Sequence, residues 1–135
     1  MTRFFPAALV LGLATAHALP AAAECDPNAT QSDLNACAAA AFDAADRELN
    51  ALYAQMKQRL AGNADTLRLM TLAQRAWVAW RDAECDFTSA SVSGGSIYPM
   101  IRGACLAELT TARVADFQRL LACEEGNLSC PLPPE

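Results

Sequence analysis

The stretch AQRAWVAWRDAEC, from Ala73 to Cys85, decides the fold. Its apolar periodicity continues on both sides and predicts one helix from about Thr66 to Phe87. On a wheel of about 100° per residue, the polar side chains share one narrow stripe: Arg68, Thr71, Arg75, Asp82 and Asp86. Apolar side chains cover most of the remaining circumference: Leu67, Leu69, Met70, Leu72, Trp77 and Trp80. So wide an apolar arc predicts a central helix packed on two sides, with both tryptophans as core anchors.

Two further helices flank this one. Apolar residues recur at steps of three and four from about Ser32 to Leu60, with Ser32 or Asp33 as the N-cap and Gly62–Asn63 after the end. Asp65 is the predicted N-cap of the middle helix, and the short turn before it forces an antiparallel hairpin. The third helix is predicted from about Pro99 to Cys123. The expected fold is all-α, a small antiparallel three-helix bundle stapled by disulfides.

Polar residues inside the apolar arcs predict internal pairs. Arg81 needs a carboxylate if buried, and the hairpin register places Asp46 opposite it. We therefore predict a partly buried Asp46–Arg81 ion pair, whose loss in Asp46→Ala should cost about 3 kcal/mol. The second hairpin sets Arg113 near Gln74, and Gln74 near Tyr53. The predicted polar network thus has five members in two layers: Asp46 with Arg81, and Tyr53 with Gln74 and Arg113.

The N-terminus predicts export. Residues 1–23 combine an early Arg3, a short apolar run and a small-residue cleavage site at Ala21–Ala23, the pattern of a removed signal peptide. Ala18 is the fallback cleavage site, and Glu24 directly before Cys25 argues against a lipid anchor. Residues 24–135 are then expected to form a single soluble helical domain with a short C-terminal tail and no membrane anchor, periplasmic or secreted.

Composition excludes several chemistries for that processed chain. The only histidine, His17, lies in the signal peptide, so imidazole bases and histidine metal sites are excluded, and no cofactor or metal is expected. Nine basic residues then face fifteen acidic ones, a net charge of −6. That charge argues against a nucleic-acid partner and favours a cationic protein partner.

Six cysteines remain after processing, an even number that predicts a disulfide framework. Six cysteines allow fifteen pairings, and the helix arrangement favours nearest neighbours in sequence. Cys85 and Cys105 fall at the same end of the bundle, Cys25 folds back onto Cys37, and Cys123 has the tail Cys130 in reach. The alternative joins Cys37 to Cys85 and Cys25 to Cys105.

The segment between the second and third helices is the predicted contact surface. Its serines and glycines, TSASVSGGSIY, lack the lysine and preceding strand of a phosphate loop. A flexible connector is one interpretation, but exposed loops also collect binding residues. The candidates for partner contact are Asp86, Gly94, Gly95, Ser96, Ile97 and Tyr98. No catalytic residue is predicted, because packed helices with arginine partners for their acids offer no open sugar cleft.

Four ordered motifs resemble the LprI-like lysozyme-inhibitor domain family of exported bacterial proteins. They are AADRELNALY at 44–53, LAQRAWVAWRDAEC at 72–85, GGS at 94–96 and CLAELTTARVADF at 105–117. The resemblance covers about Cys25 to Leu121 and implies a small exported helical bundle with disulfides and, in its namesake, lysozyme inhibition. Unlike that namesake, this chain is expected to lack a lipid-attachment cysteine and a further C-terminal domain. The sequence therefore predicts a non-enzymatic lysozyme inhibitor, or alternatively a periplasmic interaction protein with another partner.

Overall fold

The computed structural model describes residues 25–124 and 126–133, so the predicted signal peptide, residues 1–23, lies outside the described residues. The described chain forms three helices: α1 Gln31–Arg59, α2 Ala64–Thr88 and α3 Tyr98–Leu121, with a 3-10 turn at Ala90–Val92. Gln31 at the start of α1 contacts Met100 near the start of α3, and Arg59 at the end of α1 donates to the carbonyl of Leu121. α1 and α3 therefore run parallel, α2 runs against both, and the all-α bundle is confirmed.

All three helices begin one or two residues earlier than predicted. The hydroxyl oxygen of Thr30 caps α1 by accepting from the Asp33 amide at 3.3 Å, and the Asn63 side chain caps α2 by accepting from the Thr66 amide at 3.1 Å. The predicted caps, Ser32 or Asp33 and Asp65, are wrong. An N-cap must have non-helical backbone angles, which Thr30 and Asn63 have, whereas the predicted residues already lie inside the first helical turn.

The tightest helix contact joins α1 to α3. At Gly103 the backbones approach so closely that an added Cβ would lie 3.2 Å from the Cβ of Ala38. Farther along, larger side chains fill the widening space and form the buried core: Leu49, Met56, Leu60, Val114 and Phe117. Small residues at one end and large ones at the other thus set the α1–α3 packing.

The predicted central position of α2 is wrong. Only Arg81 and Cys85 of this helix are buried, whereas Trp80 is 51% exposed and Phe87 is 77% exposed. Trp77 does pack, half-buried, against the core, but Trp80 is not a core anchor. α2 lies over the α1–α3 pair and buries only one side, because α1 and α3 pack on each other. The width of an apolar arc does not reveal which part of it is covered.

Three disulfides close the bundle, and the predicted pairing of nearest neighbours is confirmed. Cys25 pairs with Cys37, Cys85 with Cys105, and Cys123 with Cys130, at Cα–Cα distances of 5.9, 5.6 and 5.9 Å. The first two bridges lie at the end that holds the α2–α3 loop, and the third lies at the opposite end. The alternative pairing of Cys37 with Cys85 is thereby excluded.

The C-terminal tail contributes to the core. Leu132 is only 5% exposed and packs in the core cluster with Leu60 and Phe117. The Arg59 guanidinium holds the tail by donating to the carbonyl of Pro133, and to that of Leu121 at 2.7 Å. None of the helices in the described part of the chain is both long and apolar enough to cross a bilayer.

Candidate functional site

Arg81 occupies the middle of the bundle and is 6% exposed. Its Nε and Nη2 donate to one carboxylate oxygen of Asp82 at 2.9 and 2.8 Å, and Nη1 donates to the hydroxyl of the fully buried Thr110 at 3.3 Å. Asp46 lies 3.7 Å from Nη1. The ion pair expected from the hairpin register is therefore present, but Asp82, which the wheel placed in the polar stripe, is the closer carboxylate.

Aromatic rings enclose the two internal arginines. The guanidinium carbon of Arg81 lies 5.1 Å from the ring centre of Phe42 and 5.2 Å from that of Trp77. The guanidinium carbon of Arg113 lies 5.6 Å from Trp77 and 4.7 Å from Phe117. Rings and cations thus alternate as Phe42, Arg81, Trp77, Arg113, Phe117, here called the arginine–aromatic ladder. Each cation–π contact of this kind contributes about 0.5–2 kcal/mol.

The second predicted polar layer is only partly correct. Arg113 Nε donates to Gln74 Oε1 at 3.2 Å, as the register predicts. Burial lowers the pKa of Arg113, an effect that the nearby Asp116 carboxylate opposes. The hydroxyl of Tyr53, the third predicted member of this layer, donates to Thr71 at 3.3 Å. Thr71 lies one turn before Gln74 on α2, at the height where the Tyr53 ring stacks on Phe117.

The buried polar atoms of the ladder have hydrogen-bond partners within the protein. Within the described residues, no buried side-chain nitrogen or oxygen lacks a hydrogen-bond partner, and no cluster of three potential metal ligands occurs. The ladder connects the three helices through its own ring and guanidinium contacts, because Phe42 lies on α1, Trp77 and Arg81 lie on α2, and Arg113 and Phe117 lie on α3.

The α2–α3 loop is a chain of tight turns. Backbone amides of residues 92, 93, 95 and 98 each donate to the carbonyl three residues earlier, at 3.0–3.2 Å. Gly94 adopts φ of 78°, a conformation that favours glycine. Asn35 on α1 donates to the Ser96 carbonyl at 3.0 Å, and the buried Ser89 donates to the Cys85 carbonyl at 2.6 Å. The loop is thus held in a defined conformation and attached to the bundle.

The predicted contact residues differ in availability. Gly94, Gly95 and Ser96 are exposed and Ile97 is 37% exposed, whereas Tyr98 is half-buried as the first residue of α3. Asp86 is exposed, but its carboxylate lies 2.6 Å from Arg102 Nε, a contact that raises the pKa of Arg102. Asp86 therefore presents a partly neutralised charge.

One large surface feature was assigned to the interior by the sequence reasoning. Exposed apolar side chains follow the outer side of α2 along almost its whole length. This α2 face consists of Leu69, Leu72, Ala73, Ala76, Ala79, Trp80, Ala83 and Phe87. These residues belong to the wide apolar arc of α2 that the sequence shows. The sequence did not indicate that α1 and α3 would leave this part of the arc uncovered.

Together these features define a class: a disulfide-stapled three-helix domain with a polar core ladder and a constrained exposed loop. Comparison with known proteins identifies the family within this class. Residues 22–117 match the family described as lysozyme inhibitor LprI, and the chain belongs to that family. It is also 36% identical over 124 residues to an uncharacterised protein of Rhizobium meliloti (strain 1021), an alignment that covers 84% of this chain and 89% of that protein. No solved structure matches the chain significantly.

Proposed function

We propose that this protein is an exported, non-enzymatic inhibitor that binds a lysozyme through the loop from Ser91 to Tyr98. Membership of the lysozyme inhibitor LprI family supplies the kind of partner. The observation that carries the choice of surface is the loop itself, in which consecutive turns hold an exposed Gly94–Gly95–Ser96 segment.

The shape of the loop suits insertion into a sugar-binding cleft. Its exposed centre has almost no side-chain bulk, so backbone groups can approach the walls of a narrow groove. Gly95 is also restricted from within, because a Cβ there would lie 3.2 Å from the Val92 carbonyl oxygen. A segment already held by hydrogen bonds loses little conformational entropy on binding, so more of the contact energy appears as affinity. Ile97, at 37% exposure, supplies apolar contact beside the glycines.

The charge of the processed chain supports a basic partner. Removal of residues 1–23 would leave a net charge of −6, and animal lysozymes are strongly basic. Opposite net charges accelerate encounter and lose this effect as salt rises. Because Asp86 is paired with Arg102, we assign steering to the overall charge and not to Asp86 alone.

Action by binding, without catalysis, is supported by four carboxylates that already pair with arginines. Asp46 and Asp82 pair with Arg81, Asp86 pairs with Arg102, and Asp116 lies between Arg113 and Arg119. Glycoside hydrolysis needs two carboxyl groups that face an open substrate site. Carboxylates already paired with arginines serve this purpose poorly.

Export is supported by the disulfides and by the predicted signal peptide. Three bridges form and persist in an oxidising compartment such as the periplasm or the exterior of the cell.

The test is lysis of whole bacterial cells by an animal C-type lysozyme with increasing amounts of the exported protein. We expect inhibition at micromolar excess, and at least about a tenfold loss of potency in Ser93→Trp, because a bulky ring at this exposed position blocks entry of the loop. The matched control is Ala61→Trp, an exposed site at the opposite end of the bundle, which should inhibit normally.

The association rate should fall with rising salt while dissociation changes less. Absence of inhibition by the unmodified protein would favour the alternative, an interaction protein with another partner. Full potency in Ser93→Trp would instead move the binding site away from the loop.

A further inference from the structure

The α2 face is a large apolar surface that the other described residues leave exposed. From Leu69 to Phe87 it extends about 27 Å at the helical rise of about 1.5 Å per residue. Trp80 is 51% exposed and Phe87 is 77% exposed, so these two rings alone present on the order of 250 Å². With Leu69 at 57% and Leu72 at 51%, the face is at the upper end of the roughly 300–600 Å² typical of the largest patch on a monomer.

We propose that the α2 face joins two copies of this chain, with α2 packed antiparallel on α2 of the second copy. The face occupies an arc of about 120° with apolar residues at steps of three and four, the pattern of a helix–helix seam. Its central part carries Trp80 among four alanines, which leave room for the ring of a second copy, and its other large residues lie toward the two ends.

An antiparallel register makes the face complementary to itself. With the two-fold axis at the level of Val78, Trp80 of one copy faces Ala76 of the other, and Leu69 faces Phe87. The large ring at the centre then meets an alanine, and the two large side chains at opposite ends of the face meet each other. This is the reciprocal contact that a two-fold interface requires.

The charges beside the seam favour the antiparallel direction of the two α2 helices. One flank carries Arg68 and Arg75 in its first half and Asp82 and Asp86 in its second half. In an antiparallel pair this flank meets its own copy, which places Arg75 beside Asp82 and Arg68 within about 3 Å, along the axis, of the level of Asp86. In a parallel pair the same flank would meet the opposite flank, where Glu84 lies at the level of Asp82 and Asp86 and would repel them.

The basic members of these pairs lack internal partners. Arg68 and Arg75 are exposed, and neither forms an ion pair within residues 25–124 and 126–133. Asp82 and Asp86 keep 44% and 58% of their side chains exposed beside their own arginines. A second copy would therefore supply carboxylates to two unpaired arginines on each side.

The area indicates the strength of the dimer. Stable interfaces bury about 800 Å² on each partner, somewhat more than this face offers. We therefore expect reversible association with a dissociation constant on the order of micromolar, weakened by salt.

Sedimentation velocity of the exported protein across the micromolar range tests association. We expect a concentration-dependent monomer–dimer equilibrium that Ala76→Glu shifts to monomer by at least about tenfold in dissociation constant. The control Ala39→Glu, on the exposed side of α1, should dimerise normally. A wild-type protein that stays monomeric throughout would overturn the proposal, as would a dimer that Ala76→Glu leaves intact.

Cross-linking tests the direction. At the proposed register, Ala79 lies close to Ala79 of the second copy, whereas the two copies of Ala73 are about 15 Å apart along the axis. Oxidation should therefore cross-link Ala79→Cys and leave Ala73→Cys monomeric, and efficient cross-linking of both variants would indicate a parallel pair and refute this register. Lysozyme inhibition is read separately: a monomeric wild type whose inhibition is lost in Ala76→Glu would assign the α2 face to lysozyme and overturn the dimer.

Discussion

The two carboxylates at Arg81 allow a quantitative test of the core. Asp82 lies 2.8 Å from the guanidinium and Asp46 lies 3.7 Å away, and both acids are partly exposed, at 44% and 40% of their side chains. Removal of either acid leaves Arg81 paired with the other. We therefore expect Asp46→Ala and Asp82→Ala to cost about 1 kcal/mol each, with Asp82→Ala the larger because its contact is shorter. This replaces the value of about 3 kcal/mol that the sequence alone predicted for Asp46→Ala.

The double variant should behave differently from the sum of the two single ones. Without both acids, Arg81 keeps only its hydrogen bond to Thr110 and its contacts with two aromatic rings. Its side chain is only 8% exposed, so the charge would be left buried without a carboxylate partner. An unpaired buried charge costs about 3–5 kcal/mol, so we expect at least about 3 kcal/mol and a coupling near 1 kcal/mol. For a domain of this size the melting temperature should fall by roughly 12 °C.

Urea unfolding followed by far-ultraviolet circular dichroism, with the disulfides intact, measures these free energies. The control is Asp43→Ala, an exposed acid one turn before Asp46, which should change stability by less than about 0.5 kcal/mol. Arg81→Met, which removes the charge and keeps the apolar stem, should cost less than the double variant. An Asp46→Ala variant as unstable as the double variant, or a double variant as stable as Asp43→Ala, would refute the reasoning.

Three further stability predictions follow from the core. Trp77→Ala should destabilise by about 3 kcal/mol because the ring separates two guanidinium groups, whereas Trp80→Ala should cost less than about 1 kcal/mol, as compared by urea titration. Replacing both Cys85 and Cys105 by serine opens a 20-residue loop and should cost about 3 kcal/mol by the same assay, and an unchanged midpoint would contradict the pairing. Leu132→Ala should cost about 2 kcal/mol and expose the third disulfide to faster reduction by dithiothreitol, because the tail would no longer be held in the core.

Helix number, direction and disulfide pairing followed from sequence because they depend on local signals. Periodic apolar residues define each helix, a short turn at Gly62 dictates the hairpin, and the helix arrangement brings cysteines to shared ends, where nearest neighbours in sequence are the favoured partners. The Arg113–Gln74 contact followed from the same register. These inferences need only positions along helices, which a sequence provides.

The rotation of each helix about its own axis is what the sequence did not provide. The small residues Ala38 and Gly103 allow α1 and α3 to pack closely. α2 packs on this pair, so the position of the pair determines which side of α2 is covered. Trp77 and Trp80 differ by about 60° on the wheel, yet one lies between two arginines and the other faces solvent. The Asp82 contact was also missed. The wheel places Asp82 in the polar stripe, but the side chain of the adjacent Arg81 turns toward it and donates to its carboxylate.

The ladder and the exposed α2 face have one physical origin. α2 is attached to the rest of the bundle by three directional contacts, namely the Cys85–Cys105 disulfide, the Arg81–Asp46 ion pair and the Gln74–Arg113 hydrogen bond, and by the packing of its inner apolar side chains on the core. Contacts of this kind hold a helix along a narrow line and do not require its whole apolar circumference. The outer apolar residues are therefore dispensable for the fold, which is why substitutions there should separate association from stability, whereas substitutions along the ladder should affect both.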